Sequence, residues 1–333
     1  MDLRWADDGS GNRAIAGTKV RLPIALLMIG LAALHLLWPL APLTIDPELG
    51  RTLLVELRLP RTLIVLGYGA ALGISGAALQ ALFANPLASP DISGASSGAA
   101  LGAVLGGYWF GFSQPLALAA CGAAGAGGAM TLLLLLAGRR ADSATLLLAG
   151  LAISLAAGAA TSLALALAPS PFAFYDAFDW LMGSVVDRSL GQALAALVPA
   201  SIACALLLRR AHALDLIALG EDVAASLGHR PRRLAREIVG LSAVAVGAFV
   251  AVAGAIGFDG LVAPVLARRL TRGHPGRAMV PSAIVGAILL LFADLAVRAI
   301  PLDRALPIGV VTALFGTPLF LYLIVNMRRG VAS

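Results

Sequence analysis

Long apolar runs separated by short polar gaps dominate the pattern of the chain. A helix rises 1.5 Å per residue, so about 20 apolar residues cross the hydrocarbon core of a bilayer. On this criterion the pattern predicts ten spans, at residues 22–42, 61–83, 93–110, 115–137, 143–167, 191–209, 234–256, 258–270, 279–299 and 307–326. The eighth is short, and we expect Pro264 to break it. The predicted fold class is therefore an all-α integral membrane protein with about ten transmembrane helices.

The composition supports a membrane protein. Of the 333 residues 59% are hydrophobic and only 13% are charged, with a mean hydropathy of +0.91. A soluble domain would need a more polar surface. We predict one transmembrane domain over residues 22–327, preceded by a cytoplasmic segment at 1–21 and carrying a cytoplasmic segment at 210–233. The first 20 residues lack the apolar core of a cleaved signal peptide.

The basic residues orient the predicted spans. With a cytoplasmic N-terminus and ten spans, most of the 24 lysines and arginines fall on the inside. This arrangement leaves outside only Arg51, Arg58, Arg61, Arg188, Arg298 and Arg304. The bias predicts that both termini are cytoplasmic. Removing the eighth span would move the cluster at 268–277 outside. Because the basic residues lie in short loops between spans, the net charge of +6 does not indicate nucleic-acid binding.

Small residues recur at helical spacing in two spans. They are Gly69 and Gly73 in the second span and Gly94, Gly98, Gly102 and Gly106 in the third. Small residues at every fourth position let two helix backbones approach closely in lipid. We therefore expect these faces to be helix contacts.

Three of the outer arginines stand at helix ends. Arg58 and Arg61 open the second span, and Arg298 closes the ninth. They could anchor the helices at the interface by snorkelling. They could also form a docking rim for an acidic partner, since guanidinium groups pair bidentately with carboxylates. An internal i,i+4 pair between Asp294 and Arg298 would compete with docking.

Two inner segments suggest further roles. Asn85 and Leu87 flank a proline that ends the second span, which predicts a stiff turn, either a plain loop or a constriction in a pathway. In the longest inner segment, Gly220 and Gly228 bracket a short helical pattern. That pattern contains Glu221, Ala224 and Leu227. A short helix bounded by glycines would suit a groove on another protein, with an ordinary loop as the alternative.

Catalytic and metal-binding motifs are missing from the sequence. It has no G-x-x-x-x-G-K-[ST] phosphate loop, no cluster of metal ligands and no nucleophile elbow. Its histidines are scattered, and both cysteines, Cys121 and Cys204, lie in apolar runs. We therefore expect no enzyme activity, no metal and no cofactor in this chain. If ATP drives a process here, a separate subunit must hydrolyse it.

Several segments together resemble the permease subunits of ABC importers for ferric siderophores, haem and cobalamin. These segments are RLPRTLIVLGYGAALGISGAALQALFANPLASPDISGASSGA, DWLMGS, ALGEDVAASLG, PSAIVGAILLLFADLAVR and LPIGVVTALFGTPLFLYLI. The resemblance covers nearly the whole chain after about residue 20. One departure stands at 264–266, where this chain has Pro-Val-Leu and family members usually have Pro-His-Ile.

The resemblance implies a location and a set of partners. The permease would lie in the bacterial cytoplasmic (inner) membrane, as a homodimer or paired permeases with the pathway between them. Cytoplasmic ATP-binding subunits would dock on the segment around Glu221. An extracytoplasmic substrate-binding protein would present acidic residues to Arg58, Arg61 and Arg298.

The resemblance also implies a gate and a cargo. The inner constriction would be formed by Asn85 and Leu87, with a second one from Ser143 and Ala144. A ferric siderophore is the first candidate for the cargo, with cobalamin and haem as alternatives.

Two rival classes make different demands on the sequence. An ion-coupled secondary transporter needs ionisable groups near the membrane midplane. Only Asp294 comes near this requirement, and it lies close to the outer end of its span. A structural membrane scaffold would not need the glycine-bracketed inner helix.

Overall fold

The computed structural model describes residues 10–38, 47–138, 143–167, 180–228, 230–271, 273–300 and 306–331. Within these ranges the chain is helical and contains no strand. The helices are α1 (Ser10–Leu37), α2 (Pro47–Thr52), α3 (Leu59–Leu82), α4 (Ala95–Val104), α5 (Pro115–Ala137), α6 (Ser143–Ala166), α7 (Leu190–Arg209), α8 (Ala211–Ile217), α9 (Glu221–Ser226), α10 (Pro231–Ala253), α11 (Asp259–Leu270), α12 (Pro275–Ala299) and α13 (Ile308–Val331). Segments of π-helix, Leu53–Arg58 and Leu105–Trp109, adjoin α3 and α4.

Six of the described helices are long and apolar enough to cross a membrane. They lie at Glu48–Leu82, Pro115–Leu136, Leu148–Ala166, Leu190–Arg209, Pro231–Ala253 and Pro275–Ala299. Shorter apolar helices lie at Pro23–Leu37 and Ile308–Tyr322. The all-helical membrane fold predicted from the sequence is confirmed, and the count of ten spans stays a prediction.

Helix α3 forms the centre of the bundle. Helices α7, α10, α11 and α12 all pack against it. Most of its residues from Pro60 to Ala81 are buried. A helix that is apolar on every side is stable only when other helices surround it in this way. This central position explains why the segment contains so many small residues.

The predicted glycine contacts are present. A Cβ atom at Gly69 would lie 2.5 Å from the carbonyl oxygen of Gly286 in α12. A Cβ atom at Gly98 would lie equally close, 2.5 Å, to the carbonyl oxygen of Gly125 in α5. Gly94 differs because it precedes α4 with a φ of 86°, which favours glycine. Close backbone contact therefore joins α3 to α12 and α4 to α5.

The predicted break in the eighth span lies elsewhere. Helix α11 runs through Pro264 without interruption, and the non-helical residues are those at 254–258, before the helix begins. Pro264 cannot donate to the carbonyl of Gly260, four residues earlier. That carbonyl lies against Gly76 of α3, where a side chain would collide with it. The close packing therefore accommodates the proline inside the helix.

Tyr68 of α3 holds the break in place. Its hydroxyl donates to the carbonyl oxygen of Gly254 at 3.1 Å and accepts from the backbone N–H of Ile256 at 3.3 Å. Gly254 and Phe258 bound the break with φ values of 74° and 67°. Buried backbone groups need partners, and the tyrosine supplies two hydrogen bonds where the helix ladder stops.

Candidate functional site

A buried carboxylate organises one end of the bundle, which the sequence predicts to be the outer end. The Asp294 side chain of α12 is 1% exposed. Arg61 of α3 binds it bidentately, from Nε to Oδ2 at 2.9 Å and from Nη2 to Oδ1 at 2.8 Å. His35 of α1 places Nε2 2.7 Å from Oδ2 and Nδ1 2.8 Å from the Thr62 hydroxyl. One carboxylate thus joins three helices through charge-assisted hydrogen bonds.

The other two outer arginines bind the end of α1. Arg58 Nη1 donates to the carbonyl oxygen of Leu37 at 2.9 Å. Arg298 Nη1 donates to the carbonyl oxygen of His35 at 2.7 Å. The last carbonyls of a helix have no partner within the helix, and cations are favourable at this end of its dipole. The two guanidinium groups therefore cap α1 from the neighbouring elements.

The structure thus brings together the three arginines that the sequence analysis singled out. We call Arg58, Arg61, Arg298, His35 and Asp294 the outer cluster. The predicted i,i+4 pair between Asp294 and Arg298 is wrong, because the carboxylate is taken by Arg61 and His35. Arg58 is only 8% exposed. Docking of an acidic partner on these arginines stays a prediction. It would have to use guanidinium N–H groups that do not bind within the outer cluster.

His35 is the functional residue of this cluster that sequence analysis missed. It is completely buried, although its helix is otherwise apolar near this point. Ionisable groups inside membrane proteins are generally paired with one another. A histidine within a predicted span and an aspartate in another could therefore have been expected to meet.

The inner turn after α3 is held by its own side chain. Asn85 Oδ1 accepts a hydrogen bond from the backbone N–H of Leu87 at 2.9 Å, and Asn85 is 7% exposed. Ala84 adopts a φ of 46° to make the turn. The stiff turn predicted here is present, while its role as a constriction stays a prediction. Ser143 and Ala144 begin α6, but their side chains lie outside the described residues.

The glycine-bracketed segment contains helix α9, at Glu221–Ser226. Gly220 and Gly228 flank it with φ values of 120° and 85°. Ala224 is completely buried, whereas Leu227 is 59% exposed. Leu219, just before the helix, is 68% exposed. The segment thus directs apolar side chains to the outside, and the side chain of Glu221 lies outside the described residues.

Helix α8 anchors this segment to the bundle. Asp215 Oδ1 accepts a hydrogen bond from the backbone N–H of Gly276 at 2.8 Å, in the first turn of α12. A Cβ atom at Gly276 would lie 2.9 Å from Asp215 Oδ2, so the two helices touch closely. The carboxylate also complements the positive end of the α12 dipole. Movement of the exposed segment would therefore be passed to α12.

An apolar cavity of about 690 Å³ lies beside the break before α11. Its walls include Leu181, Met182, Ala255 and Leu314. The backbone N–H of Ile308 donates to the Gly183 carbonyl oxygen at 2.9 Å, and that of Ser184 donates to the Ala253 carbonyl oxygen at 2.8 Å. These bonds join the segment around Gly183 to α13 and to the end of α10. The cavity is large, open and almost without polar groups, so it suits a bulky ligand bound without specific hydrogen bonds.

Two carboxylates, one buried and one half-buried, lie near the same break and were not anticipated. Asp259 begins α11 and is 4% exposed. Asp91 lies in the turn before α4 and accepts a hydrogen bond of 2.5 Å from Ser96. Among the described residues, one oxygen of each carboxylate has no partner. Only Asp294 was considered in the sequence analysis among the acidic groups of the predicted spans.

Comparison with known proteins gives consistent results. Residues 21–326 match the FecCD transport family. The chain is 38% identical over 316 residues to the vitamin B12 import system permease protein BtuC of Vibrio cholerae, covering 90% of this chain and 92% of that protein.

Two other proteins extend the comparison. The Fe(3+)-citrate import system permease protein YfmE of Bacillus subtilis is 38% identical over 278 residues, covering 81% of this chain and 80% of that protein. A metal-chelate type ABC transporter, solved in an inward-facing conformation, superimposes with a TM-score of 0.81 at 31% identity. The match covers 93% of this chain and 99% of that one.

Proposed function

Because the chain belongs to the FecCD transport family, we propose that it is the transmembrane permease subunit of an ATP-driven importer. It would lie in the bacterial cytoplasmic membrane with both termini inside. Its cargo would be a bulky iron chelate, with a ferric siderophore as the first candidate. The observation that carries this proposal is the apolar cavity of about 690 Å³ between helix α13, the segment before Gly183 and the break before α11. A cavity of this kind accommodates a large ligand without binding it tightly, as a pathway requires.

Cobalamin is the second candidate cargo. The Vibrio cholerae relative is named for vitamin B12 and is 38% identical to this chain. The Bacillus subtilis relative, also 38% identical, is named for Fe(3+)-citrate and favours an iron chelate. Haem is a further alternative from the family resemblance. All three cargoes are large and rigid, which agrees with an apolar cavity that offers few polar groups.

The ATP-binding subunits would dock on the segment from Gly220 to Gly228. Its exposed Leu227 and the adjacent Leu219 would enter a groove on the ATPase. The sequence has no phosphate loop of its own, so hydrolysis belongs to the partner, and the permease needs no cofactor. The hydrogen bond between α8 and α12 would transmit the movement into the bundle.

A second permease copy would complete the pathway. Helices α6 and α13 direct large apolar side chains outward, among them Leu148, Leu155, Leu314 and Phe315. Leu314 also lines the apolar cavity, so a partner placed against α13 would close its open side. Asn85 and Leu87, with Ser143 and Ala144, would form the inner gate of that shared pathway. An extracytoplasmic binding protein would dock on Arg58, Arg61 and Arg298 and release the cargo into the pathway.

Uptake into proteoliposomes tests the proposal. The permease would be reconstituted with candidate ATP-binding and substrate-binding subunits, and uptake of a radioactive ferric siderophore and of radioactive cobalamin would be compared. We expect uptake that requires internal ATP and is abolished by Glu221→Arg, while Glu221→Gln retains it. Uptake driven by an ion gradient without ATP would instead establish a secondary transporter.

A further inference from the structure

A second, smaller cavity lies at the outer ends of the helices, apart from the apolar one. Its volume is about 260 Å³. Its polar lining comes from Tyr108, Trp180, Arg188 and Gln192, and α4, α5 and α10 supply apolar walls. The volume is below the range of cavities that hold whole small molecules. It is therefore suited to a single side chain and not to a chelate.

Arg188 brings a positive charge to this cavity. Among the described residues its one hydrogen bond runs from Nε to the Ser184 carbonyl oxygen, at 3.5 Å, and it has no ion pair. The neighbouring acid, Asp187, is exposed. Burial lowers the pKa of Arg188, and the Asp187 carboxylate offsets this only in part. A partly buried guanidinium that lacks a carboxylate is unfavourable, so a carboxylate entering the cavity would be stabilised.

The first turn of α7 adds further donors. Ser189 caps the helix by accepting from the backbone N–H of Gln192 at 3.2 Å, while Gln192 Oε1 accepts from the Ser189 N–H at 2.9 Å. The Gln192 amide oxygen is thereby occupied, and its NH₂ group has no acceptor among the described residues. The start of this 20-residue helix is also the positive end of its dipole. Guanidinium, amide and dipole all favour an oxyanion.

The arginines of the outer cluster differ from Arg188 in having internal partners. There Arg61 is already bound to Asp294, and Arg58 and Arg298 are bound to carbonyls of α1. Arg188, in contrast, lines a cavity and forms no ion pair with a carboxylate among the described residues.

We propose that this cavity receives an acidic side chain of the extracytoplasmic binding protein. The proposal rests on the proposed function, since it requires a permease on which such a protein docks.

The cavity itself can be tested without the partner. Glutarate, which carries the carboxylate of a glutamate side chain, would be added to the permease in lipid nanodiscs while tryptophan fluorescence is followed. We expect a saturable change that Trp180→Phe removes, because Trp180 lines the cavity. Arg188→Gln should weaken the response at least tenfold, whereas Arg51→Gln, at an exposed outer arginine, should leave it unchanged. An unchanged response in Arg188→Gln would overturn the proposal.

Inorganic phosphate in the same assay distinguishes two possible occupants, a carboxylate of a protein side chain and a phosphate of a lipid headgroup. Weak binding of phosphate relative to glutarate is expected for a site shaped for a carboxylate. Phosphate bound more tightly than glutarate, with the same dependence on Arg188, would assign the cavity to a lipid headgroup and overturn the docking of a side chain.

Docking of a candidate extracytoplasmic binding protein on the permease tests the partner. Arg188→Gln should weaken its binding to the nanodiscs about tenfold and reduce the salt dependence of association, since one charge pair is lost. Normal binding to Arg188→Gln would overturn the proposed occupant. Failure of the binding protein to dock on the wild-type permease would refute the proposed function, while the glutarate response would still report on the cavity.

Discussion

The outer and inner ends of the bundle each carry a carboxylate bound by two basic side chains, but the two sites differ in burial. At the outer end, Asp294 is 1% exposed and binds Arg61 and His35. At the inner end, Glu237 is 27% exposed and lies 3.0 Å from both Arg210 and Arg233. Both carboxylates are bound by basic side chains, whereas water reaches Glu237 far more easily than Asp294. Water screens the inner pairs, so they contribute little to stability.

The two ends therefore make different contacts. The outer end uses its polar groups internally, to join α1, α3 and α12. The inner end leaves apolar side chains outside, with Leu219 68% and Leu227 59% exposed. A charged residue on a membrane protein is thus a poor guide to docking until its internal partners are known. An exposed leucine on a short, glycine-bracketed helix is the better indication of a protein partner.

The largest effect is expected at Asp294. Asp294→Ala leaves Arg61 and His35 without their carboxylate in a buried site, which should lower the free energy of unfolding by about 3–5 kcal/mol. Thermal unfolding in detergent measures the loss. Glu237→Ala is the matched control at the inner end, where the loss should stay below about 1 kcal/mol. Equal losses in both variants would show that burial does not distinguish the two ends.

Arg298 should have the next largest effect. Arg298→Gln removes a charged hydrogen bond to the His35 carbonyl, which should lower the free energy of unfolding by about 1.5–3 kcal/mol. The loss should occur without any partner protein, because the acceptor belongs to α1. Arg51→Gln is the control, since Arg51 is exposed. If Arg298 served only in docking, its replacement would leave the purified permease as stable as the wild type.

The sequence allowed much of the fold to be predicted, for a clear physical reason. Helices in lipid must satisfy their own backbone hydrogen bonds, so long apolar runs identify them directly. The contacts of Gly69 and Gly98 were also predictable, since close packing in lipid needs small residues. The location of the break before α11 was not, because it depends on Gly76 and Tyr68, which are distant in sequence.

Side-chain partners at the candidate site were harder to predict. The sequence identified Arg58, Arg61 and Arg298, because cations on the outside are unusual. It did not show that Asp294 lies beside Arg61, 233 residues away. Such pairs arise from helix packing, and local spacing suggested the nearer pair with Arg298 instead. The cavity at Arg188 is likewise formed by several helix ends that meet only in the folded chain.

Leu227 should report on the inner end. Leu227→Asp introduces a charge into the apolar surface proposed to enter the ATPase, so transport should fall at least tenfold, or about 1.4 kcal/mol. Thermal stability should not change, because the side chain is already exposed. Leu227→Met keeps an apolar side chain of similar size and should preserve ATP-driven uptake. Normal uptake by Leu227→Asp with normal assembly would show that the segment is an ordinary loop.

The smallest effect is expected at Arg233. Its Nε donates to Glu237 Oε1 at 3.0 Å across one helical turn, and its side chain is 70% exposed. Exposed i,i+4 pairs contribute only about 0.3–0.5 kcal/mol, and salt reduces even that. Arg233→Gln should therefore shift thermal unfolding slightly in low salt and not at all in 1 M salt, where the screening length is about 3 Å. Arg61→Gln, measured in parallel, should show a larger loss that salt barely changes, because its partner Asp294 is shielded from solvent. A salt-independent loss at Arg233 would mean that the inner pair is enclosed like the outer one, and the difference between the two ends would disappear.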